Sequence, residues 1–225
     1  MRLIDTHSHL FLEEFSEDFP QVIERARAAG VTHIFMPNID STTIEAMLSA
    51  CSLYKGYCFP MIGLHPTSVN ANYEKELEIV ARELKFSKEY VAIGEIGMDL
   101  YWDKTYLKEQ QIVLDKQVNW ALEYDLPVVI HCRDAFDYIY KVLEPYKKTL
   151  LRGIFHSFTG TAEEATRVLE FSDFFIGING VVTFKKSHLP EILPGIPLEK
   201  IVLETDSPYL TPVPNRGRRN ESAYV

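Results

Sequence analysis

Cysteine, long apolar runs and positive charge are all scarce in this chain. Its 225 residues include three cysteines, Cys51, Cys58 and Cys132. Three scattered thiols build no disulfide framework, which points to a reducing compartment and a cytoplasmic location. They are also too few to hold a thiolate zinc. No apolar run reaches the ~18 residues of a membrane span. The first residues enter a strand directly, with no basic or apolar segment of the kind that directs secretion. Lys and Arg number 23 against 32 Asp and Glu, a net charge of −9. That balance excludes the overall positive field of a protein that coats nucleic acid. It leaves room for an enzyme that draws a strand end into a pocket, because bound cations reverse the local field. Internal repeats, low-complexity segments and linkers are absent as well, and no obligate protein partner is evident.

What is present is an alternation of strand and helix over a single domain, residues 1–225. Strands are expected at Leu3–His9, Val31–Met36, Tyr57–Leu64, Tyr90–Glu95, Pro127–His131, Gly153–His156, Phe174–Ile178 and Ile201–Asp206. Each is short and almost continuously apolar, as in a parallel sheet buried on both faces. Helices are expected between them. Pro20 suits a first helical turn and Gly30 a helix end. Thr42 and Glu45 have capping-box spacing. The helix from Thr105 to Tyr124 places Leu107, Leu114, Val118 and Ala121 on one face. Eight such units predict an α/β fold, a (β/α)8 TIM barrel. An open doubly wound sheet is disfavoured, because no Gly-x-Gly-x-x-Gly turn follows the first strand. Only Ser207–Val225 follow the eighth strand, so the last helix is expected to be missing or truncated.

Chemistry in such barrels sits where strands end. The first strand ends in His7 and His9, two residues apart and therefore on one face. The third ends in His65, the fourth in Glu95, the fifth in His131, the sixth in His156 and the eighth in Asp206. Five of the seven histidines thus fall on one rim. Four imidazoles and two carboxylates exceed the needs of one tetrahedral ion. A carboxylate bridging two ions about 3.5–4 Å apart suits displacement at phosphorus by an activated water.

The chain resembles the TatD family of metal-dependent deoxyribonucleases, TIM barrels of the amidohydrolase superfamily. The resemblance rests on Ile4-Asp5-Thr6-His7-Ser8-His9, Gly63-Leu64-His65-Pro66 and Gly94-Glu95-Ile96-Gly97-Met98-Asp99. It continues in Ile130-His131-Cys132-Arg133-Asp134-Ala135, Phe155-His156-Ser157-Phe158-Thr159-Gly160 and Glu204-Thr205-Asp206-Ser207-Pro208-Tyr209-Leu210, and it closes with Pro214-Asn215-Arg216-Gly217-Arg218-Arg219-Asn220-Glu221. It implies a 3′–5′ exonuclease acting on the end of a DNA strand, with RNA as a further substrate for some members. It also implies two divalent ions, magnesium, manganese or zinc. By the same resemblance His7, His9 and Asp206 hold one ion, His131 and His156 hold the second, and Glu95 bridges them. Asp206 takes the proton of the attacking water, and His65 and Arg133 meet a substrate phosphate. The family carries proline where Ser222 stands and continues with a further helix beyond Val225.

Two rivals share these residues. One is an amidohydrolase acting on C–N or ester bonds, including a deacylase; many of those bridge their ions with a carboxylated lysine, where this chain offers Glu95. The other is a non-catalytic metal-binding protein, which has no use for open coordination positions. Around the constellation the readings stay plainer. His33 lies within a strand and His188 on the surface. Cys132 is expected to face the helices as an inert thiol. Asp5 either orients a ligand or braces the rim, Glu204 either enters the pocket or pairs an arginine, and Asp99 caps a loop. Arg216, Arg218 and Arg219 are a solvated run or, as read for Arg216, a phosphate contact. Tyr101 and Trp102 either stack on a base or form a lid over the helices.

Overall fold

A computed structural model describes residues 1–225. Eight strands, all parallel to their neighbours, form two arcs. The first arc holds β1 (Leu3–Asp5), β2 (Val31–Pro37) and β3 (Cys58–Met61). The second holds β4 (Ile93–Asp99), β5 (Val128–Arg133), β6 (Gly153–Phe155), β7 (Phe174–Ile178) and β8 (Ile201–Leu203). Isolated bridges close them into a barrel. Ile62 bridges Ile93 on one seam, and Ser8 bridges Ser207 on the other.

Seven helices wrap the outside: α1 (Phe19–Ala28), α2 (Ile44–Leu53), α3 (Tyr73–Phe86), α4 (Leu107–Glu123), α5 (Phe136–Leu143), α6 (Ala162–Val168) and α7 (Leu189–Ile192). The expected stripe on α4 faces the barrel, with Leu114, Val118 and Ala121 buried. Fully burying a side chain the size of Leu114 or Val118 contributes about 1.5–3 kcal/mol. Gly30 ends α1 with φ 93°, a conformation that favours glycine. No α-helix follows β8, only a short 3₁₀ turn at Ser222–Tyr224. On that flank Ile4 and Leu203 remain 44% and 45% exposed. No helix is long and apolar enough to cross a membrane.

Three expectations are corrected. The fourth strand does not stop at Glu95 but runs to Asp99, because β4 pairs residue by residue with β5 from Ile96 to Asp99, beyond an irregularity between Ile93 and Ile96. Gly97 permits this approach, since a Cβ there would collide with the His131 carbonyl. The first and last strands are shorter than expected, and the His7 and Asp206 segments extend past them, joined by Asp206 N–H to His7 O at 2.9 Å. The Thr42–Glu45 capping box is not formed. Thr42 instead donates its hydroxyl to Asp40, and α2 starts at Ile44. The capping box lies at α6, between Thr161 and Glu164.

Candidate metal centre

The strand-end residues converge at the C-terminal mouth of the barrel, in a cavity of about 650 Å³. Glu95 stands at the centre. Its Oε2 lies 3.1 Å from His7 Nε2 and 3.6 Å from His9 Nε2. Its Oε1 lies 3.0 Å from His131 Nδ1, 3.3 Å from His65 Nε2 and 3.5 Å from His156 Nε2. The two imidazole nitrogens of the His-x-His pair are 3.2 Å apart. Asp206 Oδ1 is 3.8 Å from His7 Nε2, 3.7 Å from His9 Nε2 and 4.0 Å from His156 Nε2.

These donor atoms fit a divalent cation. Ligands about 2.1 Å from a tetrahedral ion stand roughly 3.4 Å apart, which is the spacing of the His7, His9, Glu95 and Asp206 donors. Around Glu95 Oε1 the His65 and His131 donors lie within 4.8 Å of it and of one another, while His156 groups with His7 and Asp206. His65, expected as a phosphate partner, therefore lies in ligand range beside His131.

The backbone aims several of these groups. Asp206 itself has φ 58°, and Ser157, directly after His156, has φ 47°. Such left-handed residues are uncommon outside glycine and turn the chain sharply where β6 and β8 end.

Two imidazoles face further carboxylates, His131 through a hydrogen bond and His156 at close distance. His131 Nε2 lies 2.9 Å from Asp99 Oδ2, on the ring edge opposite Glu95. His156 Nδ1 lies 3.1 Å from Glu204 Oε1. Carboxylates in this position fix the tautomer and raise the basicity of a ligating imidazole. Gly177 leaves space for Glu204, because a Cβ there would stand 2.5 Å from Oε2. The loop-capping role expected of Asp99 is formed, by Tyr101 and Trp102 N–H, but its contact with His131 was not foreseen; Glu204, expected as either a pocket group or an arginine partner, faces His156. Asp5 braces the rim instead of the ligands' side chains. It accepts from Thr205 Oγ1 at 2.7 Å and Ser222 Oγ at 2.5 Å.

Protonation follows from this crowding. Burial disfavours the Glu95 carboxylate, yet His65, His7 and His156 outweigh it and hold its pKa well below the usual range. Burial alone would lower His156, but Glu204, Glu95 and Asp206 push it up to about 10. Burial lowers His7 well below its ordinary value and brings His9 down to about 4. A dication would take over the charge balance, favouring ionised carboxylates and neutral imidazoles.

The remaining candidates divide. Arg133 lines the cavity, its guanidinium 3.8 Å from the Tyr101 ring centroid. Arg216 does not line the cavity; it stacks on Phe184 at 3.8 Å. Arg219 is committed to Asp18 at 2.8 Å. Cys132 lines the cavity rather than facing only the helices, and burial pushes its thiol up to about 12, keeping it protonated. Buried Gln110 and Gln117 were missed. Their signal was two amides on the apolar face of α4, seven residues apart.

A parallel eight-stranded barrel with a carboxylate-centred histidine cluster at its C-terminal mouth defines a metal-dependent hydrolase of the amidohydrolase fold. Residues 4–225 match the family model described as TatD related DNase. The chain belongs to that family. It is 38% identical over 224 residues to an uncharacterized metal-dependent hydrolase, YabD, of Bacillus subtilis, covering 99% of this chain and 87% of that protein. It is 34% identical over 229 residues to the 3′-5′ ssDNA/RNA exonuclease TatD of Pantoea ananatis, with the same coverage. Among solved structures, the TatD homologue YjjV of Escherichia coli superposes with a TM-score of 0.91 at 30% identity, covering 99% of this chain and 85% of that one.

Proposed function

We propose that this protein is a 3′–5′ exonuclease that hydrolyses phosphodiester bonds at the end of a DNA or RNA strand with two divalent ions. The observation that carries the reading is the division of Glu95. One oxygen faces His7 and His9, the other faces His65, His131 and His156. A carboxylate split in this way suits two cations sharing one bridge. His7, His9 and Asp206 would hold the first, and His131 and His156 would hold the second. Bound divalent ions supply an activated water and offset charge on the attacking and leaving oxygens.

The chain's own groups do the rest. Asp206 takes the proton from the attacking water at its carboxylate. Its side chain is 15% exposed to the cavity, against 3% for Glu95, so water reaches it more readily. Arg133 has no carboxylate partner and meets a phosphate oxygen from the cavity wall. His65 stands at the second set, where it either contacts the phosphate or completes the ligand shell. The nitrogen-rich donor set favours manganese, zinc, cobalt or nickel over magnesium as the resident ion.

The test is cleavage of end-labelled single-stranded DNA by protein stripped of metal and then supplied with magnesium, manganese or zinc, beside Glu95→Ala. Metal-dependent shortening from the 3′ end, abolished in the variant, is expected. Folded, metal-loaded protein that leaves DNA and RNA intact but hydrolyses amides, esters or lactones would overturn the reading in favour of the C–N or ester rival.

A further inference from the structure

The turn after β4 carries two aromatic rings with no place in the core. Trp102 is 71% exposed and Tyr101 53%. A single exposed apolar residue is ordinary, but two large rings side by side at a cavity mouth form a contiguous contact surface. The two meet edge to face, with centroids 4.9 Å apart at 89°. Trp102 borders the cavity that holds the histidine cluster. Tyr101 borders an adjoining cavity of about 520 Å³, and Arg133 borders both. The Arg133 guanidinium sits 3.8 Å from the Tyr101 centroid and 5.2 Å from that of Trp102. A lid over the helix layer would bury these rings; their exposure at the cavity mouth argues against that role.

The pair is also fixed relative to the cluster. Asp99 Oδ1 accepts from Tyr101 N–H at 3.1 Å and Trp102 N–H at 3.4 Å. Its other oxygen faces His131 Nε2 at 2.9 Å. One carboxylate therefore sets the distance between the aromatic pair and an imidazole that faces Glu95.

We propose that Tyr101 and Trp102, flanked by Arg133, form a subsite that stacks the unpaired nucleobase beside the phosphodiester bond held at the cluster. The proposal rests on the hydrolase reading above. Stacking needs only the π-face that every base has, so the subsite accepts any base and rejects a nucleotide that has none. Arg133 adds a cation between stacked base and phosphate. The ligand class is a base-bearing, single-stranded end.

The experiment compares two end-labelled single strands, alike except that the terminal nucleotides of one carry tetrahydrofuran in place of a nucleoside. Metal-loaded wild type, Tyr101→Ala, Trp102→Ala and Trp102→Phe are assayed on both. Wild type is expected to favour the base-bearing strand about tenfold in kcat/KM, chiefly through KM. That ratio should collapse toward unity in Trp102→Ala, shrink in Tyr101→Ala and survive in Trp102→Phe. Equal cleavage of both strands by wild type, or a ratio untouched by either alanine, overturns the subsite and leaves the phosphodiesterase reading standing. Failure of metal-loaded wild type to cleave either strand overturns that reading, and the subsite with it.

Discussion

Asp99 shows how much of this site depends on one carboxylate that holds other groups in place. Its two oxygens hold the His131 ring and the Tyr101–Trp102 backbone. His131 in turn outweighs the effect of burial and keeps the Asp99 carboxyl below its ordinary pKa. Asp99→Asn keeps the shape and removes the charge. It should weaken divalent-ion affinity about 10–100-fold, measured by competition with a chromophoric chelator. An affinity equal to wild type would show that the contact does not tune His131. The histidines, Glu95 and Asp206 were legible in the sequence because their residue types are uncommon at strand ends. The contact of Asp99 with His131 was not, since an acidic residue after a strand reads equally as a turn, and Glu204 was legible only as one of two alternatives. The basic run was harder still: Arg219 lies three residues from Arg216, yet one pairs with Asp18 and the other stacks on Phe184.

At the scale of elements, α4 does more than cover the barrel. Gln117 Oε1 accepts from Leu64 N–H at 2.7 Å, and its Nε2 donates to Leu64 O at 3.2 Å. Gln110 grips Asp99 in the same way, at 2.9 and 3.2 Å. Two turns apart on one helix face, the amides fix the backbone just before His65 and at the end of β4. Gln117→Leu leaves a buried N–H and C=O unpaired, and should cost about 1–3 kcal/mol in urea unfolding together with a fall in kcat. Normal stability in the variant would mean that water or a shifted neighbour replaces the amide. Periodicity marked α4 as a helix with an apolar face, and that face is where the structure puts it. A pattern of hydrophobic spacing says nothing of which backbone a polar residue on that face will meet.

The segment after β8 is held by charge. Asp18 of the α1 entry pairs with Arg219 at 2.8 Å and Arg25 at 3.0 Å, and Arg25 also pairs with Glu221. Hydrogen bonds from Arg219 and then Arg25 lower the Asp18 carboxyl from 3.8 to about 2. A carboxyl depressed in the folded state stabilises the fold fully above its unfolded value, and that contribution is lost as pH falls toward the folded one. The stability gap between wild type and Asp18→Asn should therefore hold at pH 5 and shrink between about pH 4 and 2, as read from urea midpoints. A gap independent of pH would remove the ion pairs as its cause. The same segment reaches the site, since Asn220 donates to Thr205 O at 2.8 Å, next to Asp206.

For the molecule as a whole, a divalent ion bound at the cluster would be a ligand of the native state alone. At a hundredfold excess over Kd it should add about 2.7 kcal/mol, raising Tm by a few degrees. Glu95→Gln should lose most of that response, checked by thermal melts with and without manganese. A melt indifferent to every divalent ion would contradict the metal centre. The barrel itself was legible because eight apolar runs alternate with helical periodicity. Its division into two arcs joined by isolated bridges at β3–β4 and β8–β1 was not, because pairing between strands leaves no trace in their composition.

Those two seams have a kinetic consequence. His7, His9 and His65 come from the three-stranded arc, while Glu95, His131, His156 and Asp206 come from the five-stranded one. Backbone bonds cross both seams, among them Gly94 N–H to Ile62 O at 2.9 Å and His9 N–H to Ser207 O at 2.8 Å. On the two-ion reading, cations shared by both arcs would act as rivets through the joints. Amide hydrogens at Gly94 and His9 should then exchange by a parting of the arcs that bound metal suppresses, while the unbroken β5–β6–β7 ladder exchanges at a rate that metal changes much less.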